Sequence, residues 1–292
     1  MEKLDIMKNR QGFIAALDQS GGSSAKTLKL YGIDENQYNG EDEMFDLIHE
    51  MRTRVMKSKE FSSDKIVGVI LFLQTMNRKI DDKYTSEYLW DKNILSFLKV
   101  DKGLAELNNG VQLMKDIPDL EDILKIALKR GIFGTKMRSV IKECNEDGIK
   151  EVVRQQFEIA KVIASFGLVP IIEPEVDINA EDKEQCEVVL KREVIKELNN
   201  LDDDIKVMFK FTIPTIDNFY FDILNDNHVV RVVALSGGYT REDACERLSR
   251  NKGMIASFSR ALLEGLKVTD TADEFDEKLA SSIEMVYEAS IR

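Results

Sequence analysis

Two histidines, His49 and His228, are all that the chain carries, and neither stands in a ligand motif. Histidine triads and histidine-built metal centres therefore have little to start from. Cysteine is scarce as well: Cys144, Cys186 and Cys245 are odd in number, widely spaced and without a Cys-x-x-Cys pair. They read as free thiols of a reducing compartment, forming neither a disulfide framework nor a zinc site. Only four prolines occur, and no Pro/Gly/Ser-rich or low-complexity stretch interrupts the chain, so residues 1–292 read as one domain. Apolar runs such as Lys65–Leu73 and Leu168–Ile172 are far too short to cross a bilayer. Met1–Arg10 is polar and mixed in charge, unlike a secretory leader, and the expected location is the cytoplasm with no membrane partner. Basic residues are outnumbered, 41 Lys+Arg against 53 Asp+Glu, and a net charge of −12 opposes a nucleic-acid partner.

What is present is alternation. Short apolar, β-rich runs stand at Gly12–Asp18, Lys65–Gln74, Leu95–Val100, Ile132–Arg138, Leu168–Val176, Ile205–Ile213, Val229–Gly238 and Met254–Arg260. Segments with helical periodicity lie between them, at Tyr38–Met56, Gly103–Met114, Gly148–Phe166, Ala180–Leu198, Thr240–Ser249 and Phe275–Ala289. Strands with apolar residues on both faces, each followed by a helix, imply a parallel sheet covered by helices. Eight such units fit an α/β fold of the (β/α)8 TIM-barrel type, typically about 250 residues long. A doubly wound open sheet is the rival, but no Gly-x-Gly-x-x-Gly follows the first strand.

In a parallel barrel the chemistry lies at the carboxyl ends of the strands. Those ends carry Asp18, Lys99, Lys136-Met137-Arg138, Glu173-Pro174-Glu175, Lys210, Ser236-Gly237-Gly238 and Ser257-Phe258-Ser259-Arg260. One polar residue at a strand end is routine, and a lone lysine usually extends its head to water. Ionisable residues at six ends of eight are not routine, because buried charges must pair with one another or face a ligand.

Lys210 interrupts the strand-like run Val-Met-Phe-Lys-Phe-Thr-Ile (207–213). Burial there favours the neutral amine, a nucleophile able to form a Schiff base with a carbonyl substrate. Lys136 offers a second cation nearby, and Glu173, on the strand between them, is placed to move protons. Ser236-Gly237-Gly238 supplies a hydroxyl and unobstructed backbone amides for a phosphate, to which Arg260 adds a guanidinium.

The same segments resemble the class I fructose-1,6-bisphosphate aldolases, in order and over nearly the whole chain. They are Ala-Ala-Leu-Asp-Gln-Ser (15–20), Gly-Val-Ile-Leu-Phe (68–72), Leu-Lys-Val-Asp-Lys-Gly (98–103), Thr-Lys-Met-Arg (135–138), Val-Pro-Ile-Ile-Glu-Pro-Glu (169–175), Phe-Lys (209–210), Leu-Ser-Gly-Gly (235–238) and Ser-Phe-Ser-Arg-Ala-Leu (257–262). The short chain is most similar to the bacterial branch. The resemblance implies a cofactor-free, metal-independent lyase that cleaves fructose 1,6-bisphosphate reversibly in glycolysis and gluconeogenesis. It assigns Lys210 as the Schiff-base lysine, Glu173 as proton acceptor and donor, Lys136 as charge stabiliser and Asp18 as the group handling the C4 hydroxyl proton. Glu175 would orient the lysines. Ser236, Gly237, Gly238, Ser259 and Arg260 would hold the C1 phosphate, and Lys99, Arg138, Ser20 and Ser23 would serve the substrate chain and the C6 phosphate.

Two positions depart from many animal members: Gln19 stands where they have Glu, and Thr27 where they have Arg. A C6-phosphate site rebuilt around Arg52 or Arg54 is expected in compensation. The chain also ends at Arg292 without the long tail whose terminal tyrosine acts in those relatives, and Tyr287 on a final helix is not expected to replace it. The alternatives are an aldolase for another ketose bisphosphate, such as tagatose 1,6-bisphosphate, and a non-catalytic barrel binding sugar phosphates. Oligomeric state is not legible in the sequence.

Overall fold

A computed structural model describes residues 2–292. Eight parallel strands lie side by side in chain order: β1 (Phe13–Leu17), β2 (Ile66–Leu71), β3 (Leu95–Lys99), β4 (Gly134–Ile141), β5 (Val169–Val176), β6 (Val207–Thr212), β7 (Val229–Leu235) and β8 (Ile255–Ala256). The sheet curls into a nearly closed TIM barrel, whose β8–β1 seam is bridged where the Ala16 N–H donates to the Phe258 carbonyl at 3.0 Å. The helices are α1 (Glu2–Asn9), α2 (Gly22–Tyr31), α3 (Gly40–Lys57), α4 (Thr85–Asp91), α5 (Leu120–Lys129), α6 (Glu146–Ser165), α7 (Lys183–Leu198), α8 (Arg241–Ser249) and α9 (Ala272–Ser290), with single turns at Leu73–Met76, Phe221–Leu224 and Arg260–Leu263.

Alternation along each strand divides the core in two. Phe13, Ala15, Leu17, Val207, Phe209 and Phe211 face the helices and join the larger cluster. Ile14, Ala16, Leu95, Phe97, Val169, Ile171, Met208 and Val233 fill the barrel interior, where Met7 from α1 closes the bottom. The interior is thus apolar from its floor to mid-height, and the next inward positions are the ionisable ones.

Helix starts follow local chemistry. The Asn145 side chain accepts from the Gly148 N–H ahead of α6, and Thr271 with Glu274 forms a capping box at α9. The expected helix at Gly103–Met114 is absent. That segment doubles back, with bridges Leu104–Met114 and Asn108–Val111, and a short strand Val111–Gln112 pairs antiparallel to the end of β4. Asn109 and Gly110 have φ of 48° and 70°, so Asn-Gly makes a hairpin turn that overrides the helical spacing. Four elements not anticipated from periodicity, α1, α2, α4 and α5, cover the remaining flanks.

Gly134, where β4 begins, allows its neighbours to close in: a Cβ there would lie 2.1 Å from the Val169 carbonyl oxygen and 2.9 Å from the Phe97 ring. Gly134→Ala is expected to destabilise by about 2–3 kcal/mol through overpacking. A thermal scan should then show a melting temperature lower by roughly 5 °C.

Candidate active site

A cavity of about 570 Å³ opens at the carboxyl ends of the strands. Its wall includes Asp18, Ser20, Ser23, Lys99, Lys136, Arg138, Glu173, Glu175, Lys210, Ser236, Gly237, Ser259 and Arg260. Gly238 lines an adjoining cleft of about 420 Å³ that shares Arg260 with the main cavity. The fold therefore brings the ionisable, serine and glycine residues of the strand ends to two cavities that share Arg260, whereas Met137 and Phe258 turn away into the core.

At its floor lies an ionic cluster with almost no solvent contact. Lys136 and Glu173 are each 3% exposed and Lys210 is 4% exposed, so Lys210 does not reach water in the manner of a strand-end lysine. Glu173 lies between the two lysines, Oε1 at 3.1 Å from Lys210 Nζ and Oε2 at 2.8 Å from Lys136 Nζ. Asp18 Oδ2 sits 2.7 Å from Lys136 Nζ. The Glu173 Oε2 contact is an ion pair without hydrogen-bond alignment, leaving that oxygen's hydrogen-bonding capacity unfilled at the cavity floor.

The surrounding sequence holds these groups in place. In β6 the aromatics Phe209 and Phe211 stack on each other outside the sheet, with centroids 5.2 Å apart, and Phe211 stacks on Tyr220 at 4.2 Å. That packing turns Met208, Lys210 and Thr212 inward. Backbone pairing between β5 and β6 stops after Ile172–Phe209, one residue short of Glu173 and Lys210. The strands separate there, and the Thr212 hydroxyl spans the gap by donating to the Val176 carbonyl at 2.6 Å. Buried Gln156 on α6 fixes the next pair of strands: its Oε1 accepts from the Glu173 N–H at 2.9 Å, and its amide donates to Ser139 Oγ at 3.0 Å.

Charge decides the protonation states. Burial pushes the Glu173 carboxyl up, but Lys136 and Lys210 outweigh it and hold the group below its usual value. Asp18 behaves alike, burial being overcome by Lys136, Lys210 and Lys99, and it lies well below the carboxylate range. Burial acts to lower Lys136, yet Asp18 and Glu173 keep its ammonium well above the ordinary lysine value.

The rim is richer in cations. Lys99 is held by Asp101, Nζ to Oδ1 at 2.6 Å, and Arg138 Nε donates to Glu175 Oε2 at 2.6 Å. Glu175 thus orients Arg138, and the lysines take their direction from Glu173 and Asp18 instead. Ser20 and Ser23 close a turn ahead of α2, the Ser20 N–H donating to Ser23 Oγ at 2.8 Å. Gly237 and Gly238 have φ of 61° and 120°, left-handed backbone that favours glycine, and Arg260 Nη2 lies 3.6 Å from where a Gly238 Cβ would be. Lys26, one turn into α2, also lines the cavity and was not among the expected site residues. Its signal was available in principle, three residues after Ser23 on the helix that the Ser-Gly-Gly-Ser turn begins.

Neither arginine expected to rebuild a phosphate site lines the cavity. Arg54 donates to the carbonyls of Asp270 at 2.6 Å and Thr271 at 3.2 Å and stacks on Phe275, which anchors the segment before α9. Arg52 is fully buried behind Gln19, donating to Thr75 Oγ1 at 2.6 Å, to the Gln19 carbonyl at 2.7 Å and to Gln19 Oε1 at 2.9 Å. Gln19 in turn donates its amide to Ser259 Oγ, so Arg52 reaches the Ser259–Arg260 turn only through this relay.

The glycolytic family fructose-bisphosphate aldolase class-I matches residues 3–215. Over 290 residues the chain is 62% identical to a fructose-bisphosphate aldolase class 1 of Clostridium acetobutylicum, covering 99% of this chain and 98% of that one. Its fold is similar to that of a Plasmodium falciparum fructose-bisphosphate aldolase, solved with TRAP and a small-molecule inhibitor. The TM-score is 0.80 at 20% identity, over 100% of this chain and 94% of that one.

The cluster sets a pH window. Carboxyls depressed in the folded state stabilise fully above the unfolded pKa, about 4, and lose that contribution as pH falls toward their folded values. A raised lysine contributes fully below its unfolded value of about 10.4 and is lost at higher pH. Lys136→Met leaves Asp18 and Glu173 buried with less compensation and is expected to cost about 3–5 kcal/mol. Melting temperatures measured from pH 3 to 7 should show a shallower loss toward acid in the variant than in the parent protein, because carboxyls less depressed in the folded state lose less stability as pH falls below about 4. An unchanged profile would mean that Lys136 does not hold those carboxyls down.

Proposed function

The chain belongs to the class I fructose-bisphosphate aldolases, and from that membership and the cavity's geometry we propose which side chains carry the reversible cleavage of fructose 1,6-bisphosphate. Lys210 attacks the C2 carbonyl through Nζ, and loss of water leaves an iminium that accepts the electrons of the breaking C3–C4 bond. Its proton passes to Glu173, whose Oε1 is 3.1 Å away, and Glu173 returns protons during carbinolamine dehydration and enamine protonation. Asp18 accepts the C4 hydroxyl proton, glyceraldehyde 3-phosphate leaves, and hydrolysis of the protonated enamine releases dihydroxyacetone phosphate. Lys136, paired with both Asp18 and Glu173, stays cationic and stabilises the oxygens that gain charge.

Ser236, Gly237, Gly238, Ser259 and Arg260 receive the C1 phosphate, where backbone amides and a guanidinium converge. Lys99, Arg138, Ser20 and Ser23 serve the other end of the sugar, with Lys26 as a further cation at the rim. Asp101 and Glu175 keep Lys99 and Arg138 pointed before substrate arrives. Residues 1–292 act as one barrel domain, and a cytoplasmic site accords with glycolysis. Among the described residues no helix is long and apolar enough to cross a membrane.

The observation that carries this reading is Glu173 shared by two buried lysines. Borohydride treatment with fructose 1,6-bisphosphate, followed by intact-mass and peptide mass spectrometry, should give one sugar-phosphate adduct on Lys210 that EDTA does not diminish. Lys210→Arg should abolish the adduct, and Glu173→Gln should lower turnover by about 10²–10⁴-fold. An adduct on another lysine, or none on folded protein, would overturn the assignment.

A further inference from the structure

Away from the cavity, the loop that follows β4 lays Cys144 against the start of α7. Cys144 Sγ, Cys186 Sγ and a carboxylate oxygen of Asp182 all lie within 4.8 Å of one another. The carboxylate is already turned to both partners: Oδ2 accepts from the Cys144 N–H at 2.8 Å, and Oδ1 accepts from the Cys186 thiol at 3.4 Å. Widely spaced in sequence, the two thiols become neighbours only through the packing of α7 beside α6. A tetrahedral zinc ion with sulfur at about 2.3 Å and carboxylate oxygen at about 2.0–2.2 Å sets its ligand atoms roughly 3.5–3.8 Å apart. The present separations, within 4.8 Å, lie up to about 1 Å outside that range, so binding would draw the three side chains closer together.

We propose that Cys144, Asp182 and Cys186 form a binding site for a divalent cation of the zinc class, with water as the fourth ligand. Two sulfur donors select a borderline-soft ion over calcium or magnesium, which prefer oxygen. On binding, each thiol releases its proton to solvent and the sulfur lone pair goes to the metal, so the three ligands contribute three negative charges against two positive. Arg192 is the cation that acts on Cys144, but it is already shared by Glu146 at 3.1 Å and Glu193 at 3.0 Å, so the loaded site keeps one net negative charge. Buried Cys186 forms the floor, while half-buried Cys144 and exposed Asp182 leave a path from water.

None of the three residues lines the cavity, so the ion takes no part in the carbon–carbon chemistry. Its effect is mechanical. It would tie the loop after β4 to the helix after β5, the strands that carry Lys136, Arg138, Glu173 and Glu175, and stabilise the folded chain by mass action.

The test is titration of cobalt(II) into the reduced full-length protein, read by the near-ultraviolet thiolate-to-cobalt charge-transfer band, then displacement by zinc(II). One equivalent should bind, and zinc(II) should raise the melting temperature. Cys144→Ser, at a half-buried position, should weaken cobalt binding by at least about 10–100-fold. Cys245→Ser should leave it unchanged. Should Cys186→Ser fail to fold, Asp182→Asn supplies the second ligand variant, with a smaller loss. No charge-transfer band at saturating cobalt, or a cobalt affinity and band intensity that Cys144→Ser leaves unchanged, would overturn the proposal.

Discussion

Two buried lysines leaning on one buried carboxylate constrain nearly everything above the barrel's midline. Moving Lys136, Lys210, Glu173 and Asp18 out of water costs several kcal/mol per ion, and mutual attraction offsets that cost only when the geometry is held. Each member of the cluster faces an opposite partner, so no single one can drift without leaving another uncompensated. Its supports follow from that requirement. The aromatic stack behind β6 aims Lys210, the Gln156 amide joins β4 to β5 beside Glu173, and Thr212 spans the gap where backbone pairing ends. The gap is useful in its own right, because a ladder continued past Ile172–Phe209 would draw together the two strands whose side chains the substrate must reach between.

Charge balance changes from floor to rim. The floor is closely paired and almost wholly buried. At the rim Lys99 and Arg138 are each matched by a carboxylate, whereas among the described residues Lys26 and Arg260 form no ion pair. In a chain of net charge −12 these cations at the mouth are a local reversal of sign. A sugar carrying a phosphate at each end is repelled by the general surface and attracted at the opening, and low-dielectric walls focus that field.

Much of this was legible in the sequence because barrels express their plan in alternation. The eight strand positions and the charges gathered at their carboxyl ends follow from short apolar runs that end in ionisable residues, but the boundaries do not: β4 runs on to Ile141, β2 stops at Leu71, and β8 keeps only Ile255–Ala256. The Gly103–Met114 helix failed because apolar spacing of three and four also arises by chance in a hairpin, and the Asn109-Gly110 turn outweighed it. Arg52 and Arg54 were misplaced for another reason. Both stand on α3, and sequence gives no measure of how that helix is rotated; the structure turns Arg52 into the core and Arg54 toward the segment before α9. The Cys144–Cys186 contact depends on how two helices dock side by side, which no spacing rule encodes.

Gln19, where many animal members of the family have Glu, shows how such a departure is absorbed. Arg52 beneath it is buried without a directly paired carboxylate; desolvation lowers its pKa to about 10, against a partial opposing pull from Asp18. The guanidinium needs acceptors, and Gln19 provides two of them, its backbone carbonyl and Oε1. A glutamate in that place would satisfy Arg52 as well, as an ion pair. Ionised, it would have no proton to donate, whereas the Gln19 amide donates to Ser259 at the turn bearing Arg260. It would also add a carboxylate close to Asp18, opposing the depression that keeps Asp18 ionised. A neutral side chain that accepts on one side and donates on the other therefore fits this site, given that the charge beneath it is an arginine locked into the core.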